Sequence, residues 1–247
     1  MHRYFVNKSQ ISEDTIVIIG NDVKHIKDVL RLKIDDIIEI VSEAYTYEAK
    51  ISQLSKSQVE SKILNKSKGI NEAKTMIRLF QGLAKGSKME AVFQKGTEIG
   101  ITEFYPLLTK RTIVKIDNVK KEKNKLERWN SITEDAAKQS KRDKIPKVME
   151  ITSFKDMLDI LKREKNILVP YEDEDTNSIK EILKTMDDGI INIIIGPEGG
   201  FEIEEIKALK DIGAKIVSLG RRILRTETAG LVTAAVVLYE KDDLGVV

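Results

Sequence analysis

The chain has 247 residues, 33% charged and 41% hydrophobic, a globular balance long enough for one large domain or two modest ones. Lys and Arg number 42 against 40 Asp and Glu, a net charge of only +2, so nucleic-acid binding would have to rest on a local patch. The lack of cysteine excludes disulfides, thiol catalysis and thiolate metal sites. Two histidines, His2 and His25, stand too far apart in sequence to suggest a metal centre, and no metal is expected. The start, Met1-His2-Arg3-Tyr4-Phe5, has no apolar leader core, and no stretch reaches membrane-span length. A cytoplasmic protein with no membrane partner is the expectation.

Residues 1–70 read mainly as short strands. The run 15–19 ends at Gly20, and Asp22 is placed to cap a short helix carrying Val23, Ile26, Val29 and Leu30. Strands are predicted over 37–41, 45–51 and 59–64, which together suggest a small β-barrel or sandwich. The polar stretch 65–71 reads as a linker and domain boundary.

From Thr75 strands and helices alternate. Strands are predicted over 76–83, 103–108, 148–151, 167–170, 190–195 and 215–219. Helices are predicted over 88–99, 119–140, 154–161, 179–186 and 201–210, and from Thr226 onward. Such alternation argues an α/β domain with a mainly parallel sheet. The run Ile190-Ile191-Asn192-Ile193-Ile194-Ile195 is apolar enough to be buried on both faces.

Two loops carry the functional signal. Gly196-Pro197-Glu198-Gly199-Gly200 follows one strand and precedes a helix. Its glycines allow close backbone approach to a ligand, yet it is neither a dinucleotide fingerprint nor a P-loop, and by itself it reads as a tight turn. The stretch 220–229 holds three arginines, two threonines and a glutamate, with Ile223 and Leu224 among them and an apolar helix directly after. The apolar pair suggests a loop packed down, whose arginines then need partners. Both loops would lie at the carboxyl ends of strands, where open α/β sheets bind ligands. Basic clusters stand at 138–144 and at Lys110, Arg111, Lys115, Lys120 and Lys121. Each alone reads as a solvated helix end, and phosphate binding becomes plausible only with the small β-domain beside them.

Gly196-Pro197-Glu198-Gly199-Gly200-Phe201, with Leu219-Gly220-Arg221-Arg222-Ile223-Leu224-Arg225-Thr226-Glu227-Thr228-Ala229, closely resembles the two signature loops of the RsmE family of bacterial 16S ribosomal RNA (uracil-N3)-methyltransferases. The start 1–5, the stretch 25–31 with His25 and Arg31, and Lys95, Glu98 and Gly100 are similar to further family segments. Residues 136–142 resemble its Glu-Gln-Ser-Gly-Arg stretch, with Lys138 and Lys141 in place of Glu and Gly.

The resemblance implies a PUA-like RNA-binding β-barrel over 1–70 and a SPOUT methyltransferase domain with a trefoil knot over 74–247. It implies S-adenosylmethionine as cofactor, 16S rRNA within the 30S subunit as partner, and a homodimer. Carried onto this chain, the cofactor residues are Pro170, Tyr171, Gly196, Pro197, Glu198, Gly199, Gly200, Leu219, Gly220, Ile223, Leu224, Thr226, Thr228 and Ala229. Arg3, His25, Arg31, Lys95, Gln139 and Arg142 become the RNA-facing residues. Uracil N3 must lose a proton to attack, which an arginine can assist by stabilising the developing anion or a carboxylate by taking the proton; Arg225 and Glu198 are the catalytic candidates. A methyltransferase of the same fold acting on another RNA nucleotide, or a non-catalytic RNA-binding module, are the alternatives.

Overall fold

The computed structural model describes residues 1–114 and 119–244. The chain divides into two compact units, one of Met1–Glu72 with Ala137–Lys144, the other of Ala73–Ala136 with Ile145–Val247.

The first unit is a curled five-stranded sheet. Its strands are β1 (Arg3–Phe5), β2 (Thr15–Ile19), β3 (Ile37–Ser42), β4 (Tyr45–Leu54) and β5 (Gln58–Lys68), in the order β1-β3-β4-β5-β2. Only the β1–β3 pair is parallel. Alternation along the strands turns Ile16, Ile18, Ile38, Ile40, Tyr47, Ala49 and Ile51 into one core, and two register shifts between β4 and β5 bend the ladder around it. The short helix α1 (Asn21–Lys24) and the π-turn His25–Val29 close the core with Val23 and Ile26.

Four expectations change here. Gly20, not Asp22, is the N-cap of α1, and the Asp22 carboxylate accepts from Lys138 Nζ at 2.7 Å. The stretch expected as a linker from Asn65 is instead strand as far as Lys68, because Tyr45–Glu48 of β4 pair with it in register. Arg3, expected to face RNA, is 4% exposed: its guanidinium donates to the Lys141 carbonyl, to Thr46 and to Asp143, and Nε lies 3.3 Å from Glu39. Arg142 is likewise buried and donates from Nε and Nη2 to the two oxygens of Glu72, at 2.9 and 2.6 Å.

The second unit is a parallel sheet with helices on both faces. The strands are β6 (Met76–Gly82), β7 (Glu103–Leu108), β8 (Lys147–Val148), β9 (Thr152–Ser153), β10 (Ile167–Pro170), β11 (Ile190–Ile195) and β12 (Lys215–Val217). Their order is β12-β10-β11-β6-β7-β8, with β9 also on β7, and every pair is parallel. The helices are α2 (Lys88–Ile99), α3 (Val119–Gln139), α4 (Phe154–Leu161), α5 (Ile179–Thr185), α6 (Ile203–Asp211) and α7 (Thr226–Glu240). Ile77, Leu79, Ile191, Ile193 and Ile195 face α2, α3, α5 and α7, while Phe80, Ile194, Ile167 and Val169 face α4 and α6. The apolar run in β11 is thus buried on both sides, as a central parallel strand requires.

Arg3 bridges Asp143 and Glu39 inside the first unit; Lys141 also holds Glu39, so Arg3→Ala should cost about 3–5 kcal/mol chiefly by taking the guanidinium from the buried Asp143. Equilibrium denaturation checks this; an unchanged midpoint would show that the network contributes nothing.

Candidate functional site

Parallel strands end together, so the carboxyl edge of the sheet collects the loops after β10, β11, β6 and β12. Between the loops after β10 and β12 lies a cavity of about 570 Å³. Seven of the sequence-predicted cofactor residues line it: Pro170, Tyr171, Leu219, Gly220, Ile223, Leu224 and Ala229. Its other wall runs from Glu172 to Ser178, and the part at 174–178 escaped the sequence reading. That wall is shaped by Glu174, whose carboxylate accepts from the amides of Thr176 and Asn177 at 2.9 and 3.0 Å and from the Thr176 hydroxyl at 2.5 Å. These bonds, the hydroxyl's foremost, bring the Glu174 pKa down to about 2. The Ser218 amide donates to the Asn177 carbonyl at 2.9 Å and fastens this wall to the end of β12.

The remaining predicted residues of the glycine loop do not line the cavity. They brace it. Thr226 Oγ1 donates to the Gly196 carbonyl at 2.5 Å and accepts from Gln81 Nε2 at 2.8 Å. The Thr226 hydroxyl is thereby committed to the protein, and Gln81, fully buried at the end of β6, joins the site as a residue the sequence did not flag. A Cβ on Gly82 would come within 2.3 Å of the Pro197 nitrogen, so only glycine lets β6 pass this loop. Gly199 turns its carbonyl to Arg111 Nη1 at 2.9 Å, and Arg111 also grips Glu202 at 3.0 Å. Gly200 has φ +68, and a Cβ there would lie 2.8 Å from Glu172 Oε1 on the cavity wall. Thr228 is exposed on the first turn of α7.

Glu198 is held from the other side. Its Oε1 accepts from the Lys85 amide at 3.1 Å and from Lys88 Nζ at 2.9 Å. Burial alone would raise this carboxyl; the bonds from Lys88, its own amide and the Lys85 amide, with the Lys88 charge, outweigh that and hold it below the usual carboxylate range. An ionised carboxylate so well supplied with donors is a weak base and a strong loop anchor.

The arginine loop departs from its expected packing. Ile223 is 89% exposed, and Arg221, Arg222 and Arg225 are exposed as well. The guanidiniums are in water, so burial does not force partners on them. Arg225 is the N-cap of α7, and its carbonyl accepts from the amides of Thr228 and Ala229 at 2.8 and 2.9 Å. Among the expected RNA-facing residues, His25, Arg31, Lys95 and Gln139 are exposed, with Lys95 bonded to Glu98 at 2.8 Å. Lys115 lies outside the described residues. No helix among the described residues is long and apolar enough to cross a membrane, and among them no group of three metal-ligating side chains gathers.

Comparison with known proteins places this geometry. A family model described as an RNA methyltransferase domain matches residues 71–238, and one described as an RNA methyltransferase PUA domain matches 18–64. Ribosomal RNA small subunit methyltransferase E of Bacillus subtilis is 34% identical, over 98% of both chains. The protein of the same name from Mesomycoplasma hyopneumoniae is also 34% identical, over 94% of this chain and 96% of its own. The crystal structure of ribosomal RNA small subunit methyltransferase E from Neisseria gonorrhoeae, bound to S-adenosylmethionine, superposes with a TM-score of 0.86 at 29% identity, covering 97% of each chain. The chain belongs to the ribosomal RNA small subunit methyltransferase E family.

Proposed function

We propose that this protein transfers a methyl group from S-adenosylmethionine to N3 of one uracil in 16S ribosomal RNA, within the 30S subunit. The observation that carries the reading is the cavity at the carboxyl edge, where Pro170, Tyr171, Leu219, Gly220, Ile223, Leu224 and Ala229 converge in a chain of this family. Its volume of about 570 Å³ falls in the range of small-molecule sites. Its apolar residues suit an adenosyl group, and the Glu172 carboxylate on the same wall suits a cationic ligand. S-adenosylmethionine, when bound, supplies a methyl already activated by its sulfonium charge.

The chain's own residues then divide the work. The glycine loop, held by Gln81, Thr226, Arg111 and Lys88, keeps the cavity in shape, and Glu198 acts as an anchor of that loop instead of a base. Arg225 is the acceptor-side residue: it follows the cavity-lining Ile223 and Leu224 directly in sequence without lining the cavity itself, and its exposed guanidinium offers paired donors to a uracil carbonyl as N3 loses its proton. His25, Arg31, Lys95 and Gln139 serve RNA binding, whereas Arg3 and Arg142 serve folding. A homodimer fits the outer face of α7, where Val232 is 37% and Tyr239 70% exposed on one stripe. The trefoil knot and a cytoplasmic location belong to the same proposal.

The direct test incubates the protein with labelled S-adenosylmethionine and undermodified small subunits and maps the product by mass spectrometry. A methyl on uracil N3 is expected; label on another base, or none, overturns the reading.

Three variants probe the parts. Gly200→Val places a β-branched residue at φ +68 against Glu172 and should weaken S-adenosylmethionine at least about tenfold in calorimetry, with folding kept. Glu174→Ala removes the bonds shaping the 172–178 wall and should cost about 1 kcal/mol of cofactor affinity, roughly fivefold. Because the folded-state pKa of Glu174 is depressed from 4.5 to about 2, its contribution is complete above pH 4.5 and fades as pH falls towards 2. Arg225→Ala should lower single-turnover methylation about 10²–10³-fold with little change in cofactor affinity. Equal losses in both would make Arg225 a cofactor ligand or a loop anchor.

A further inference from the structure

The second unit holds another cavity, of about 560 Å³, which the proposed chemistry does not use. It opens between the loop after β6 and helices α2 and α3. Its floor is apolar: Ala84, Met89 and Trp129 are 6%, 2% and 3% exposed, with Val114 half-buried beside them. Among the described residues the walls carry Lys85, Lys125, Arg128 and Asn124 against one carboxylate, Glu90. Arg128 answers Glu90 at 2.9 Å. Lys125 holds its ammonium 4.9 Å from the centre of the Trp129 ring, with Glu122 at 3.6 Å. The Lys85 ammonium has no carboxylate partner among the described residues, although its backbone amide is tied to Glu198.

We infer that this cavity is a subsite for a nucleotide of the substrate RNA flanking the target base. The inference rests on the RNA-methyltransferase reading above. An apolar floor beneath a cationic rim matches a base and its phosphate, and fits an RNA strand, in which every phosphate comes with a flat base, better than an acidic peptide, whose carboxylates do not. Its position gives it a role. The loop that presents Lys85 to this cavity also donates the amide that holds Glu198 of the glycine loop, so a nucleotide seated here lies one loop away from the cofactor cavity's brace. Occupancy would fix the register of the strand, and so which base reaches the reaction. The contacts are to phosphate and to a base face, so the subsite contributes affinity and placement while leaving the chemistry to the target site.

Trp129 is the only tryptophan in the chain, which makes it a reporter for this cavity alone. Titrating the full protein with a short single-stranded uridine-containing RNA should change Trp129 emission saturably, while S-adenosylmethionine by itself should not. In parallel, the double variant Lys125→Ala/Arg128→Ala should raise KM for small subunits about tenfold or more. It should also flatten the salt dependence of RNA binding by about two in log–log slope, one per lost phosphate contact, and leave kcat and cofactor affinity as in the wild type. RNA that binds with no change in Trp129 emission overturns the subsite, as does a double variant with unaltered KM and salt slope. Loss of cofactor affinity in the variant also overturns it, since α3 would then be a support for the cofactor loops. If the wild type transfers no methyl to small subunits, the functional reading fails, and the Trp129 titration still decides whether the cavity takes RNA.

Discussion

The site depends on one chain of buried hydrogen bonds, from Gln81 Nε2 to Thr226 Oγ1 and on to the Gly196 carbonyl. Those three residues belong to β6, to the start of α7 and to the end of β11, so two bonds fix the relative heights of three elements that sequence separates by up to 145 positions. Close approach makes the bonds possible. Gly82 lets Pro197 come against β6, and Gly230 lets α7 come down on Gln81, where a Cβ would lie 2.9 Å from Oε1. In a dry interior such a relay is strong when complete and costly when broken, since each partner left alone keeps its desolvation penalty. The cavity-lining loop at 219–225 and the bracing loop at 196–200 therefore have fixed roots.

Much of the second unit is legible in the sequence because burial and period coincide there. The helix 88–99, the strands 103–108, 167–170 and 190–195, and the start of α7 at Thr226 stand where periodicity and glycine signals put them. The first unit is less legible, because ladder pairing overrides local composition. The polar run after Leu64 stays in β5 since β4 supplies partners, and Lys66 Nζ sits 4.2 Å from the centre of the Tyr45 ring and 5.5 Å from that of Tyr47. Arg3 looked like a surface arginine because its partners, Lys141 and Asp143, lie 138 and 140 residues away. No local pattern announces such a network.

The candidate site divides along the same line. Glycine and apolar residues at strand ends point to the carboxyl-edge cavity proposed to take the cofactor, but side-chain environments inside the loops were not legible. Ile223 has the residue type of a core position, and instead it is 89% exposed at the rim of the cavity. Glu198 has the residue type of a base, while its environment of donors makes it an anchor. Sequence offers the functional group; neighbours decide its protonation and its freedom, and here those neighbours are Lys85 and Lys88, more than 100 residues upstream.

The departure at residue 141 shows how a changed motif can be absorbed. Where the family resemblance has glycine, this chain has Lys141 in the left-handed region at φ 63, a conformation that costs a side-chain-bearing residue of order 1 kcal/mol. That backbone turn is needed, because it aims the Lys141 carbonyl at Arg3 Nη1. Keeping the turn while losing glycine calls for compensation, and Lys141 Nζ provides it by reaching the Met1 carbonyl at 3.1 Å and Glu39 at 3.2 Å. Lys138, the other departure, meets Asp22. Both lysines thus take carboxylates of the first unit as partners, and the stretch that resembles an RNA-facing motif spends its charge on holding residues 137–144 to that unit's own sheet. Gln139, exposed between them, is the residue of this stretch that the proposed RNA contact would use.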